Sequence, residues 1–220
     1  MISRLHLFAY ASLRFLAFKI AIASAVVAAE IETNAFASLS ALDVSNYEVQ
    51  NPGEGYFDVV ARRTYLQNAT SPELRNWIDE IAPGVSCKTI MNLPAPDHTI
   101  ALPGFYADNQ TWRRMVQVFL TYEDALSALA AAELVVGDGY HAHCMVDALL
   151  QWARLSALES FEYAFETQQA WFTIESTLFA SALSLMAVRN TVDDQRSADL
   201  AEIDQWLQRA ALKHSAITGL

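Results

Sequence analysis

Proline and glycine, which punctuate strands and turns, almost leave the second half of this chain. The last of six prolines is Pro103, and no glycine stands between Tyr140 and Thr218. So long a stretch without either breaker has few means of turning a sheet. It must fold as helices joined by short polar reversals. From Cys144 to Leu158 the apolar residues Met145, Leu149, Trp152 and Leu155 recur at helical spacing, so one face is expected to pack inward. Four long helices are predicted, at about 112–136, 140–158, 166–188 and 198–214. Gly137-Asp138-Gly139 makes the first reversal and Val192-Asp193-Asp194 the last. On the final helix Leu200, Ile203, Leu207 and Ala210 form an apolar stripe that needs a neighbour.

The text before Pro103 is mixed. Pro52-Gly53, Pro83-Gly84, Pro94 and Pro96 mark turns. In Ser71-Pro72-Glu73-Leu74 a capping hydroxyl, a proline at the first helical position and an acid in the first turn predict a helix running to Ile81 and stopping at Pro83. A second short helix is predicted from Val59 to Leu66. Between Leu102 and Thr111 lies an aromatic, polar loop, the kind of segment that carries function more often than helices do.

At 220 residues the chain can hold one domain with a real core. Its start reads as an address. Arg4, Arg14 and Lys19 precede an apolar run from Ile20 to Ala29, and Ala35-Phe36-Ala37 offers a small-x-small cleavage site, with Val27-Ala28-Ala29 as the alternative. A membrane span needs about 20 uninterrupted apolar residues, and Lys19 and Glu30 bound a shorter run. The organisation expected is a signal peptide over 1–37, a segment of short helices with a lid-like loop over 38–111, and helical hairpins over 112–220. Export to the periplasm or beyond would place Cys87, in a loop-like segment, and Cys144, heading a helix, where they can pair. Two separate buried thiols is the other reading.

The formal charge of −11, about −12 after cleavage behind Ala37, repels nucleic acid and anionic lipid. An anionic ligand would therefore have to meet a local cluster of cations. Arg62-Arg63 and Arg113-Arg114 are the adjacent basic pairs outside the expected signal peptide, although arginine pairs more commonly serve as salt-bridged surface. No metal or cofactor is expected, because His141 and His143 stand beside Cys144 without a second cysteine at ligand spacing. Alternate residues of a helix point in different directions, so those histidines read as a partly exposed helix start.

Several stretches, taken in order, resemble the mannuronate-type alginate lyases, periplasmic polysaccharide lyases with an α/α-toroid fold. They are Phe57-Asp58-Val59-Val60-Ala61-Arg62-Arg63-Thr64-Tyr65-Leu66, Ser86-Cys87, Leu102-Pro103 to Tyr106, Cys144 to Leu158 with Trp152-Ala153, and Ala170-Trp171-Phe172. The resemblance spans 56–220. It implies an all-α fold of helical hairpins forming part of an incomplete α/α toroid. It also implies β-elimination on a uronate polymer and a groove lined by Tyr106, Trp112, Arg113, Arg114 and Gln169. Phe105 stands where the family places a lid cation, Leu120 where it has an arginine, and Ser176 where a sugar-stacking tryptophan is expected.

The family's catalytic words, Asn-Asn-His-Ser-Tyr-Trp and a later arginine and tyrosine, do not occur in the sequence. His214 lies at the polar end of a helix with no adjacent asparagine, so no catalytic residue is assigned. The expectation is an alginate lyase-like protein, inactive or incomplete as it stands, whose partner is an anionic polysaccharide. The alternatives are a non-catalytic periplasmic carbohydrate-binding protein and a truncated gene product. An uncovered stripe on the last helix would lead the chain to associate with itself.

Overall fold

The computed structural model describes residues 58–163, 168–192 and 194–216. The expected signal peptide, and Tyr56 and Phe57 at the start of the resemblance, lie outside them. Seven α-helices follow in order among the described residues. α1 is Val59–Gln67, capped by Asp58, whose carboxylate accepts from the Ala61 amide at 2.8 Å. α2 is Pro72–Ile81, with Ser71 as its cap and Pro72 at its first position, as the sequence predicts.

α3, Cys87–Met91, is a short helix where the sequence suggested a loop. The Ser86 hydroxyl accepts from the Thr89 amide at 3.2 Å and so nucleates a turn that five residues could not hold by periodicity alone. α4 is Asn109–Val136. It begins three residues before the predicted Trp112 because Asp108 caps it, accepting from the Thr111 amide at 3.0 Å. Gly137 ends it with φ +71°, a left-handed conformation that favours glycine.

α5 is Tyr140–Arg154, and its cap, Gly139, has no side chain to satisfy the first amides. Glu133 does so from the preceding helix, Oε1 accepting from the Gly139 amide and Oε2 from the Ala142 amide, each at 3.2 Å. α5 stops four residues before the predicted Leu158, where Ser156 (φ +51°) and Leu158 (φ +67°) turn the chain. Leu155 is consequently half exposed rather than inward-facing, and Ala157 and Leu158 are buried in its place. His141, expected to be partly exposed, is also buried, because the Pro83–Gly84 turn packs over its ring.

α6 is Gln169–Val188 and α7 is Ser197–Ser215, joined by two 3-10 turns, Arg189–Thr191 and Asp194–Arg196. α6 is long and apolar enough to cross a membrane. Its Ile174, Leu178, Leu185 and Val188 are instead buried in the protein core.

Cross-links between helices fix their directions. Glu123 on α4 accepts from Ser176 and Thr177 on α6, and Arg63 reaches both Glu133, near the end of α4, and Thr191, just past α6. α4 and α6 therefore run parallel. Asp147 pairs with Arg196, and Arg154 with Asp199 and Glu202, so α5 and α7 are parallel too. With antiparallel hairpins between consecutive helices, this makes two layers, α4/α6 and α5/α7. That is the hairpin architecture of an α/α toroid, of which these helices form part.

The core lies between the layers. Tyr122 of α4 stacks on Trp152 of α5 with centroids 3.7 Å apart and planes 10° apart, and burial pushes the Tyr122 phenol pKa well up. Both rings are fully buried. Trp206 of α7 closes the far side, its indole donating to the Ala157 carbonyl at 2.6 Å. The stripe on α7 is covered within the chain. Ile203 and Ala210 are fully buried, and Leu200 and Leu207 pack partly buried against the core, so this face offers little for the expected self-association.

Cys87 and Cys144 form a disulfide with Cα atoms 5.4 Å apart, tying α3 to α5. Closing a loop of 57 residues contributes about 4 kcal/mol by the chain-entropy model.

Candidate functional site

The aromatic loop before α4 is held at its root by a short pairing with the segment after α5. The Ile100 amide donates to the Ser160 carbonyl at 2.9 Å and the Glu162 amide to the Ile100 carbonyl at 2.8 Å. The Thr99 and Ser160 hydroxyls share a further bond of 2.8 Å. Beyond the root, the Gly104 carbonyl accepts from the Ala107 and Asp108 amides, and this tight turn delivers the chain to the Asp108 cap.

Three rings build outward from there. Trp112 packs half-buried against the core with its indole nitrogen buried and unpaired. Phe105 sits edge-on to it at 4.8 Å and edge-on to Tyr106 at 5.1 Å. Tyr106 is 96% exposed, an unusual position for a ring of that size unless something else covers it. Trp112 is thus an anchor and Tyr106 a projecting face.

Arg113 and Arg114 follow Trp112 in the first turns of α4. Arg113 donates to Asn109 at 2.7 Å and Arg114 to Thr111 at 3.1 Å, both neutral partners, so their charge is presented to solvent. Hydrogen bonds from Thr111 hold the Asp108 carboxyl below its usual range, with a smaller contribution from the Arg114 charge. Arg63, by contrast, is turned inward to Glu133 and Thr191. A shallow surface depression lined by Asp58, Ala61, Arg62 and Tyr65 includes none of the loop residues.

Gln169 is the first residue of α6 and is half-buried. In the register set by Glu123 with Ser176 and Thr177, it lies level with Val116, about one turn from Trp112. The fold therefore gathers Tyr106, Trp112, Arg113, Arg114 and Gln169 at one end of the α4/α6 layer.

Three further rings join that end. Trp171, in the first turn of α6, is half-buried and stacks on His214 at 4.5 Å and 19°. His214 Nε2 lies 3.3 Å from the Trp171 carbonyl, and Phe161 lies 6.1 Å from the same imidazole. Helical spacing could not reveal this, because His214 arrives from the far end of an antiparallel hairpin.

Further along the same face, Leu120 is exposed, and Ser176 donates to Glu123 at 2.8 Å while Thr177 donates to the same oxygen at 2.6 Å. Where the resemblance expects a cation and a stacking ring, the structure has Leu120 and Ser176, the serine hydroxyl turned to Glu123.

No family model and no curated protein matches the chain. Solved structures do. A single-substitution variant of alginate lyase A1-III complexed with tetrasaccharide superposes with a TM-score of 0.64 at 24% identity, covering 81% of this chain and 50% of that one. A second variant with tetrasaccharide gives 0.65 at 21% identity over 81% of this chain and 51% of that one. The crystal structure of alginate lyase A1-III from Sphingomonas species A1 gives 0.62 at 24% identity, with the same coverage of 81% and 51%. At these identities the likeness establishes the fold. The chain spans about half the length of the solved structures it matches.

Proposed function

We propose that this chain is an exported, alginate lyase-like protein that binds an anionic polysaccharide of the uronate class at the aromatic end of its α4/α6 layer. The observation that carries the reading is the pairing of an exposed ring with cations. Tyr106 stands 96% exposed in the loop that leads into α4, and the first turns of α4 carry Arg113 and Arg114, whose side-chain bonds go to neutral groups. A sugar ring stacks on the first and a uronate carboxylate pairs with the second, a charge-assisted contact stronger than a neutral one. That two matched lyase structures are complexed with tetrasaccharide supports this assignment of ligand class. The disulfide supports an oxidising compartment.

β-Elimination requires three things of a protein. It must neutralise the uronate carboxylate so that the neighbouring C5 proton becomes acidic, supply a base for that proton, and supply an acid for the departing glycosidic oxygen. Arg113 and Arg114 suit the first task. For the other two, the sequence holds no Asn-Asn-His-Ser-Tyr-Trp segment, and His214 is engaged with Trp171. We therefore assign binding to this chain and leave base and acid unassigned. Binding without cleavage is the second reading, favoured by the exposed Leu120 where the resemblance expects an arginine.

The test mixes the purified protein with polymannuronate, other polyuronates and a neutral glucan, following ultraviolet absorbance of the unsaturated product and, separately, binding by calorimetry. Saturable binding to polyuronates with no rise in absorbance supports recognition without cleavage. A rise in absorbance assigns the lyase activity and makes His214 and Tyr106 the first residues to mutate. Failure to bind any polyuronate ends the proposal.

A further inference from the structure

The reversal between α4 and α5 gathers three side chains of ligand type. Glu133, Asp138 and His141 each offer one atom, and these atoms lie within 4.8 Å of one another. Glu133 is fully buried, His141 is 6% exposed, and Asp138 stands at the surface.

The tautomer of His141 follows from its surroundings. Nε2 lies 3.4 Å from the Pro83 carbonyl, which can only accept, so Nε2 carries the hydrogen. Nδ1 then carries a lone pair, and it is buried with no hydrogen-bond partner. One nitrogen of this ring lies within 4.8 Å of an oxygen of each carboxylate, so an unpartnered acceptor nitrogen in the cluster sets acceptor against acceptor. That arrangement calls for something positive between them.

We infer that this reversal is a binding site for a divalent transition metal of the zinc class. Glu133, Asp138 and His141 Nδ1 are the ligands, with water in the fourth position. The hydrogen bonds already present do not compete with this role. The Gly139 and Ala142 amides hold the Glu133 carboxylate and the Tyr140 amide holds Asp138 Oδ1. Each carboxylate oxygen has a second lone pair, so these bonds orient the ligands as outer-shell contacts do.

Arg63 Nη2 lies 3.7 Å from Glu133 Oε1, but two carboxylates against one guanidinium leave the site negative. Ligand atoms about 2.1 Å from a tetrahedral ion lie roughly 3.4 Å from each other. The cluster must contract slightly, and the exposed Asp138 on its glycine-flanked turn is the part able to move. The site lies about 30 Å along α4 from Trp112. Its role is structural, clamping the α4–α5 turn to the Pro83–Gly84 segment, and it does not rest on the proposed polysaccharide binding.

The experiment titrates Zn2+ by calorimetry into tag-free, chelator-treated protein, and Co2+ by visible absorption. The expected result is one equivalent bound, a raised melting temperature and the intense spectrum of tetrahedral Co2+ with a nitrogen ligand. Asp138→Asn keeps the oxygen that accepts from Tyr140, so it should melt like the metal-free parent yet lose at least tenfold in Zn2+ affinity. His141→Gln should show a similar loss of affinity, and His98→Ala, at the exposed His98–Asp97 pair, should show none. Absence of saturable binding to the folded protein, which is the result expected if a proton occupies Nδ1, overturns the inference. So does an affinity unchanged in Asp138→Asn, or one abolished by His98→Ala.

Discussion

The two ends of the α4/α6 layer are built on opposite terms. At the end where both helices begin, rings and guanidinium groups face outward from a short loop, and Tyr106 has almost no protein against it. At the end where both helices stop, polar groups are drawn inward. Glu133 caps α5 from within the core, Arg63 bridges it to Thr191, and the disulfide fastens α3 to α5. A buried carboxylate is tolerable only when its oxygens are matched by donors, whereas an exposed ring contributes little to folding. Stability thus concentrates at one end and leaves the other free for recognition.

The largest effect is expected at the inward end, from Glu133→Ala. It leaves two helix amides and the Arg63 charge without their acceptor, and we expect a loss of about 3–5 kcal/mol in denaturant melts. A loss under about 1 kcal/mol would mean the inward end is not the stabilising one. Cleaving the disulfide by Cys87→Ser with Cys144→Ser should lower stability by about 4 kcal/mol, read as a difference that vanishes when the parent is measured under reductant. Both changes should leave polyuronate affinity intact at temperatures where the protein remains folded.

At the outward end the effects shrink. Trp112→Ala removes a half-buried anchor, so about 2 kcal/mol should be lost, together with affinity, because Phe105 and Tyr106 lean on it in series.

The chain after α5 gives an intermediate case. Glu159 meets Arg209 and Lys213, and although burial alone would raise its pKa, hydrogen bonds from Lys213 and Arg209 hold it below the usual 4.5. Its contribution is therefore present above about pH 4.5 and lost as pH falls through the lower folded value. With both cations about half exposed, Glu159→Gln should cost at most about 1 kcal/mol at neutral pH and nothing in strong acid. A thermal melt series across the acid range reads this directly.

The smallest stability change belongs to Tyr106→Ala, expected within about 0.5 kcal/mol of the parent. Polyuronate affinity should nevertheless fall about tenfold, roughly 1.4 kcal/mol. A Tyr106→Ala protein that binds as tightly as the parent would remove the ring from the proposed site.

Local signals in the sequence determined the long helices and several of their ends. Ser71-Pro72 and Gly137-Asp138-Gly139 specify starts and stops through one or two hydrogen bonds and a backbone angle, and Met145, Leu149 and Trp152 declare an inward face by spacing. The limits of such reading show at Leu155, where periodicity continues past the point at which the backbone turns, and at Cys87, where a five-residue helix is too short to have a period. Tertiary structure decided the rest, because those contacts join residues far apart in the chain. Only the parallel packing of α4 and α6 brings Gln169 to about one turn from Trp112, and only the α6–α7 hairpin carries His214 onto Trp171. Nothing in the sequence sets Glu133 apart from the other acids of α4. It is the closing of α5 over it, aiming two unsatisfied amides at one carboxylate, that turns it into the buried centre of a site.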